Sequence, residues 1–382
     1  MKKASVLSTI AMSAILAVAL FLVLPADPAH AAAPIAKEFV YVSNAASGTI
    51  SGYAADPRTG ALTPLAGSPF PSGTGPGPMD ADPKGEFLYV GMTQQTPGVP
   101  SNCLDFPTEI WVYRINQTTG ALTRVQVVST AGPNEAFCVT DVLVGPRGEN
   151  LYVVGTAESG DGVILIYNID PVTGELTRVT DAPSPTTGQT MSIAIHPTGK
   201  WAFVTTRNTS GVLVFERNRQ TGGLSPEGRL FAAPDQNAIA VTSNGQYLIT
   251  GAEDANEIYV WEINSTTGEL TLVAGAPFAA PGVPQEIVVH GNEVFVTTDV
   301  GLAVYRIASN GTLTPVSGSP FSTGGSFPWG VSLDAQGQFI YVTNFASDTL
   351  AGFRINRNGT LTHTPGSPYP TGGSPIDVVV VK

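Results

Sequence analysis

Seven times the chain writes nearly the same turn: TGALT at Gly60 and Gly120, TGELT at Gly174 and Gly268, TGGLS at Gly222, and NGTLT at Gly311 and Gly359. The spacings are 60, 54, 48, 46, 43 and 48 residues. A period of about 40–50 residues is the size of one propeller blade, and it constrains the fold more than any single motif does. Each turn brings the same neighbours. Upstream stands a strand such as EFVYVSN, EFLYVGM, ENLYVVG, KWAFVTT, QYLITGA, EVFVTTD or QFIYVTN, followed by a second such as EIWVYRIN or TLAGFRIN. These runs are rich in β-branched and aromatic residues and are closed by Gly, Asn, Asp or Pro, as strands are. A third strand follows the turn and a fourth precedes the next copy. The pattern predicts an all-β chain: a seven-bladed β-propeller of four-stranded antiparallel blades. The repeat opens on the second strand of a blade (Glu38–Asn44) and ends on a lone inner-type strand, SPIDVVVVK. That C-terminal strand is expected to pair into the N-terminal blade and close the ring, which removes the exposed sheet edges of an open array.

Composition agrees with a turn-rich β protein. Charged residues make up only 13% of the chain, while Gly (42) and Pro (31) are abundant. The net charge of −12 gives a surface that repels phosphate backbones and excludes nucleic acid as a partner. The first residues read as an export signal: Lys2 and Lys3, an apolar run from Ile10 to Leu24 broken by Ser13, and Ala29-His30-Ala31 as a small-x-small cleavage site. The division expected is a signal peptide over 1–31 and one propeller over 32–382, periplasmic or secreted and monomeric. No membrane span is expected after cleavage, since a span needs about 20 apolar residues. Cys103 and Cys138 are the only cysteines, and in an exported chain such a pair is expected to form a disulfide.

The YVTN motif (Tyr341 to Asn344), the GSPF segments at Gly67 and Gly318, and the TGxLT turns resemble the YVTN-type, lactonase-like seven-bladed propellers, the superfamily of bacterial 6-phosphogluconolactonase. The resemblance covers essentially the whole chain after the signal. It implies the propeller fold and, for an enzyme, lactone hydrolysis. The lactonase branch carries His-Pro-x-Gly-Lys, an aromatic strand and then Asn-Glu. Here HPTGKWAFVTTRN supplies His196, Pro197, Gly199 and Lys200, but Thr206-Arg207 stands in place of Asn-Glu, and the next blade has Ala252-Glu253 there.

Propellers bind ligands where loops converge on the central channel, and loops carry function more often than tight turns do. Variation here falls on the face with the connections between second and third strands and from blade to blade. Aligned inner strands bring Asp141, Glu286 and Asp377 to one register position near the channel mouth on that face, where other blades have Pro78, Ser192, Ala238 and Gly330. Three chemistries are open to such carboxylates. They can accept hydrogen bonds from amides of a neighbouring blade, hold a divalent cation (Ca²⁺ or Mg²⁺), or raise one another's pKa and supply a general base. Register also maps Arg207, Glu253, Asp254 and Trp329 to that face. Arg207 would stabilise an oxyanion and Glu253 activate water, with Trp329 and Asp254 holding the ligand. His196 and His290 fall on the opposite, tight-turn face, and no HExxH or GxSxG pattern occurs.

The reading from sequence is therefore an exported scaffold that binds a small molecule or protein on its loop-rich face. Its alternative is a lactone hydrolase acting on a sugar or other small lactone.

Overall fold

The computed structural model describes residues 38–93, 108–130, 137–157, 160–208, 211–225 and 228–382, with backbone only for residues 137 and 180–187. The signal segment and Cys103 lie outside the described residues. The described strands form seven antiparallel sheets. Within each blade the chain runs outward from an inner strand. The inner strands are Pro375–Val381 in blade 1, Pro76–Ala81 in blade 2, Phe137–Val144 in blade 3, Gln189–Ile195 in blade 4, Gln236–Val241 in blade 5, Pro284–His290 in blade 6 and Pro328–Leu333 in blade 7. The ring closes as the repeat requires: Pro375–Val381 pairs with Glu38–Asn44, from Phe39 opposite Val381 to Asn44 opposite Pro375.

The second strands explain why this chain shows apolar runs rather than alternation. Glu38–Asn44, Phe87–Met92, Asn150–Ala157 and Phe339–Asn344 are buried at every residue. Both faces of these strands are covered by adjoining blades, so neither side tolerates a polar repeat. Seven core clusters result, each shared by two adjacent blades: Phe87 and Tyr89 of blade 2 pack with Leu151 and Val153 of blade 3, for example, and Tyr341 of blade 7 packs with Val40 and Val42 of blade 1. No blade buries its own faces. At about 25 cal/mol per Å² of apolar area, most of the stability therefore resides between blades.

The repeated motif is the visible part of this dependence. Tyrosines of the second strands donate across the seam to the turn glycine of the next blade: Tyr41 Oη to Gly120 O (2.7 Å), Tyr89 to Gly174 (3.3 Å), Tyr152 to Gly222 (2.6 Å) and Tyr341 to Gly60 (2.9 Å). The last of these joins blade 7 to blade 1. Five of the turns begin with an Asp or Asn that caps its own loop (Asp56, Asn116, Asp170, Asn218 and Asn264), as where Asn116 Oδ1 accepts from the amides of Thr118 and Thr119 at 3.0 Å.

One feature differs from the sequence expectation. In blades 1, 5 and 7 the outer strand is two short pieces, such as Leu62–Pro64 and Phe70–Pro71, both paired with the third strand. The intervening Gly-Ser-Pro or Gly-Ala-Pro bulges away because proline has no N–H for the ladder.

Gly60 tests the seam directly. Its φ is +70°, and a Cβ there would lie 2.3 Å from Phe339 Cδ1, whereas Gly291 (φ +58°) has open space around it. Gly291→Ala is expected to cost about 1 kcal/mol from its left-handed backbone alone. Gly60→Ala adds overpacking and should cost about 3 kcal/mol in denaturant unfolding. Equal losses for the two would show that the turn glycine is kept for its backbone alone.

Candidate functional site

Every inner strand contributes to one cavity of about 510 Å³ in the central channel. The strands enter it in a common register. The amides of Ser192, Glu286, Gly330 and Asp377 each donate to a Thr or Ser hydroxyl of their own second strand, at 2.8–3.1 Å. Glu286 and Asp377 therefore share one level, Asp141 stands opposite Val154 of its second strand, and all three line the cavity.

What these carboxylates do first is join blades. Asp377 Oδ2 accepts from the Met79 amide of the next blade (2.7 Å). Asp141 Oδ2 accepts from Ser192 Oγ (2.6 Å) and from the Ile193 amide (3.0 Å). Glu286 Oε2 accepts from the Val331 amide (2.8 Å). A fourth carboxylate, Asp80, does the same with Val144 (2.7 Å) and also lines the cavity. Sequence reasoning missed it, although Asp80 lies two residues beyond Pro78 and strand alternation turns both to the same side. Among the described residues no group of three His, Cys, Asp or Glu side chains is placed to share an ion, since these carboxylates stand on separate blades and face neighbouring amides.

These four groups are half-buried at the channel. Burial pushes Asp141 up to about 6 and both Asp80 and Asp377 up to about 7. Glu286 lies well above the ordinary range, first from burial and then from the charge of Asp377. Carboxylates perturbed in this way within a cleft are candidates for chemistry. Oε1 of Glu286 makes no hydrogen bond to the described residues, whereas both oxygens of Asp80 and of Asp377 accept amides and Asp141 is held by Ser192 Oγ and the amides of Ile193 and Val142.

Aromatic residues of blade 7 form the wall beside Glu286. Trp329 lines the cavity and packs against Phe327 and Phe345, with ring centroids 5.8 and 5.7 Å away. Phe327 holds a φ of +57°, a conformation that a bulky residue adopts only under constraint. The indole N–H of Trp329 and the carboxamides of Asn237 and Gln285, all at the lining, are not engaged by described residues.

The other expected pair is assembled elsewhere. Arg207 ends a second strand of blade 4, Glu253 follows one of blade 5, and the two form an ion pair with each side chain 32% exposed. Burial pulls the Arg207 guanidinium down, against the charges of Asp235 and Asp254. Neither Arg207, Glu253 nor the exposed Asp254 lines the cavity that Trp329 lines, so the combined arrangement expected from register does not form. Register could not show that opposite charges on adjacent blades would engage each other. His196 is buried at the tight-turn face, with Nδ1 2.8 Å from Thr198 Oγ1 and Nε2 2.9 Å from Gly245 O, a seam contact away from the cavity. Cys138 is buried at the start of an inner strand, and no free thiol occurs among the described residues.

Comparison with known proteins places this geometry. The family described as "Lactonase, 7-bladed beta-propeller" matches residues 106–241 and 285–380, more than half of the chain. A 6-phosphogluconolactonase of Bacillus subtilis is 24% identical over 257 residues, 65% of this chain and 69% of that protein. One from Yersinia enterocolitica is 33% identical over 105 residues, 26% of this chain. The chain spans only 28–30% of the length of the first curated relatives it matches. Among solved structures, the periplasmic gluconolactonase of Pseudomonas aeruginosa superposes with a TM-score of 0.74 at 18% identity, covering 91% of this chain and 99% of that one. At that identity the likeness shows the fold.

The raised carboxylates predict a pH signature. Unfolded carboxyls titrate near pH 4, so between about pH 4 and 7 the native state binds protons that the unfolded chain has released. Their contribution to stability therefore falls as pH rises through that window. Asn at position 377 mimics the protonated acid. Asp377→Asn should raise Tm relative to the parent, by several degrees more at pH 8 than at pH 5. A gap of equal size at both pH values would mean that Asp377 is ionised throughout.

Proposed function

Because the chain belongs to the lactonase family of seven-bladed propellers, we propose that it hydrolyses a small lactone in the central cavity, with Glu286 as the general base. The observation that carries this reading is the unengaged Oε1 of a raised carboxylate in the cavity, beside the Trp329 ring. A base with an elevated pKa accepts a proton more effectively near neutral pH than an ordinary carboxylate does.

The chemistry needs only water as co-reactant. Glu286 takes a proton from a water molecule as the water oxygen attacks the lactone carbonyl carbon. The tetrahedral oxyanion is met by N–H donors at the lining, the amides of Asn237 and Gln285 or the indole of Trp329. Collapse breaks the bond from the acyl carbon to the ring oxygen. The proton on Glu286 passes to that oxygen, and the hydroxy acid leaves with the base regenerated. The family membership and the cavity favour this hydrolase over a binding scaffold, which would leave an unengaged, raised carboxylate without a role.

Glu286→Gln keeps the side-chain length and an acceptor for Val331, and should lower kcat by about 10²–10⁴. Glu253→Gln, which loosens the pair with Arg207, should change kcat by less than about threefold. The reverse ranking would move the base to Glu253, and no turnover across a panel of lactones would remove the hydrolase reading.

We also read residues 1–31 as the export signal and Cys103–Cys138 as a disulfide holding the blade 2 insertion. N-terminal sequencing of chain recovered outside the cytoplasm should begin at Ala32, and peptide mapping without reduction should link the two cysteines. A chain that begins at Met1 or two separate thiol peptides would refute the respective assignment.

A further inference from the structure

Hydrolysis of a lactone in this cavity leaves open which lactones are accepted, and the lining speaks to their charge. Among the described residues its ionisable groups are Asp80, Asp141, Glu286 and Asp377, and no described Lys, Arg or His belongs to it. We infer that the substrate is an uncharged, non-phosphorylated lactone with an apolar ring face, and that the channel rejects the phosphate esters of such compounds. This inference rests on the cavity being the lactonase site.

Three independent features support it. The first is sign. Two like charges a few ångströms apart in a site shielded from water repel strongly enough to change binding tenfold or more. A phosphate monoester would bring close to two negative charges among four acidic groups. Even partial protonation of that ring leaves no cation to offset them.

The second is the use of donors. Proteins hold phosphate with Arg or Lys, with a helix N-terminus, or with a row of free backbone N–H groups. The described residues contain no helix. The amides of Met79, Val144, Ile193 and Val331, which turn toward the ring of acids, are already bound to Asp377, Asp80, Asp141 and Glu286. The protein's own carboxylates thus occupy the donors that an anion would need. The cation closest in role, Arg207, is paired with Glu253 outside the cavity.

The third is the wall. Trp329 lines the cavity with its ring packed on Phe327, which remains 39% exposed in a left-handed conformation. The corresponding position before the inner strand is Gly75 in blade 2 and Ser374 in blade 1, both also at positive φ. A large aromatic at a position suited to Gly or a small residue places ring surface at the mouth, where it can cover the C–H face of a ring. Charge also aids release. The product is a carboxylate, and the same acids that admit a neutral lactone repel the anion it becomes.

The test compares one six-membered sugar lactone with its phosphate monoester on the full-length purified protein at pH 7.5 and low ionic strength. The neutral lactone should be preferred by at least about 100-fold in kcat/KM, and raising the salt concentration should narrow that ratio by screening. The double variant Asp80→Asn/Asp141→Asn should narrow it further, about tenfold, provided its circular dichroism matches the parent. The salt series on the unaltered protein gives the same reading if the variant does not fold. Trp329→Ala should raise KM for the neutral lactone about tenfold, in addition to any fall in kcat from the loss of its indole donor. Equal or better use of the phosphate ester would overturn this inference while leaving the lactonase reading in place. Turnover of neither compound would instead defeat the lactonase reading, and the substrate class would fall with it.

Discussion

The contact on which this molecule depends is the seam between blades. A tyrosine hydroxyl of one second strand reaches the carbonyl of a turn glycine in the adjoining blade, and the ring next to it rests where that glycine has no side chain. Both halves are needed. The glycine permits a left-handed backbone and close approach, and the tyrosine satisfies a carbonyl that water cannot reach. Four of the seven seams carry this contact. In blade 4 the aromatic is Phe203, and Trp201 Nε1 donates instead to Ser265 O of blade 5 (2.9 Å).

A second set of seams lies at the channel. There the carboxylates of one inner strand bind amides of the next, which holds the innermost strands in register at the cost of burying acids. Buried acids are tolerable because each has at least one amide to solvate it. The arrangement gives the channel its negative lining and its raised pKa values together. Structure and chemistry are thus the same feature seen at two levels: the groups that align the strands also decide what can enter. Glu286 departs from this economy, since its longer side chain reaches Val331 with one oxygen and leaves the other facing the channel.

How much of this was legible in the sequence depends on the distance between partners. Blade number, strand order and the closing role of Pro375–Val381 followed from the repeat, because each copy carries its own turn and strand signals. Register within the inner strands was also legible, and it brought Glu286 and Asp377 to one level. Asp80 was available by strand alternation yet escaped notice, since the alignment followed one position only. The mutual pairing of Arg207 and Glu253 depends on rotamers of long side chains that no repeat encodes. The split outer strands of blades 1, 5 and 7 were written in the Pro-containing segments and were read as continuous.

By itself the sequence determined the ring: seven units whose apolar faces have no partner within the unit, and a terminal strand that fits only the first of them. Tertiary structure decided the site. Residues as far apart as Asp80, Glu286 and Trp329 share one cavity because inner strands from all seven blades line a common axis. Whether a carboxylate there is a stitch, a base or both depends on which amide lies within reach of each oxygen. That is fixed by distances across blade seams, which only the assembled ring supplies.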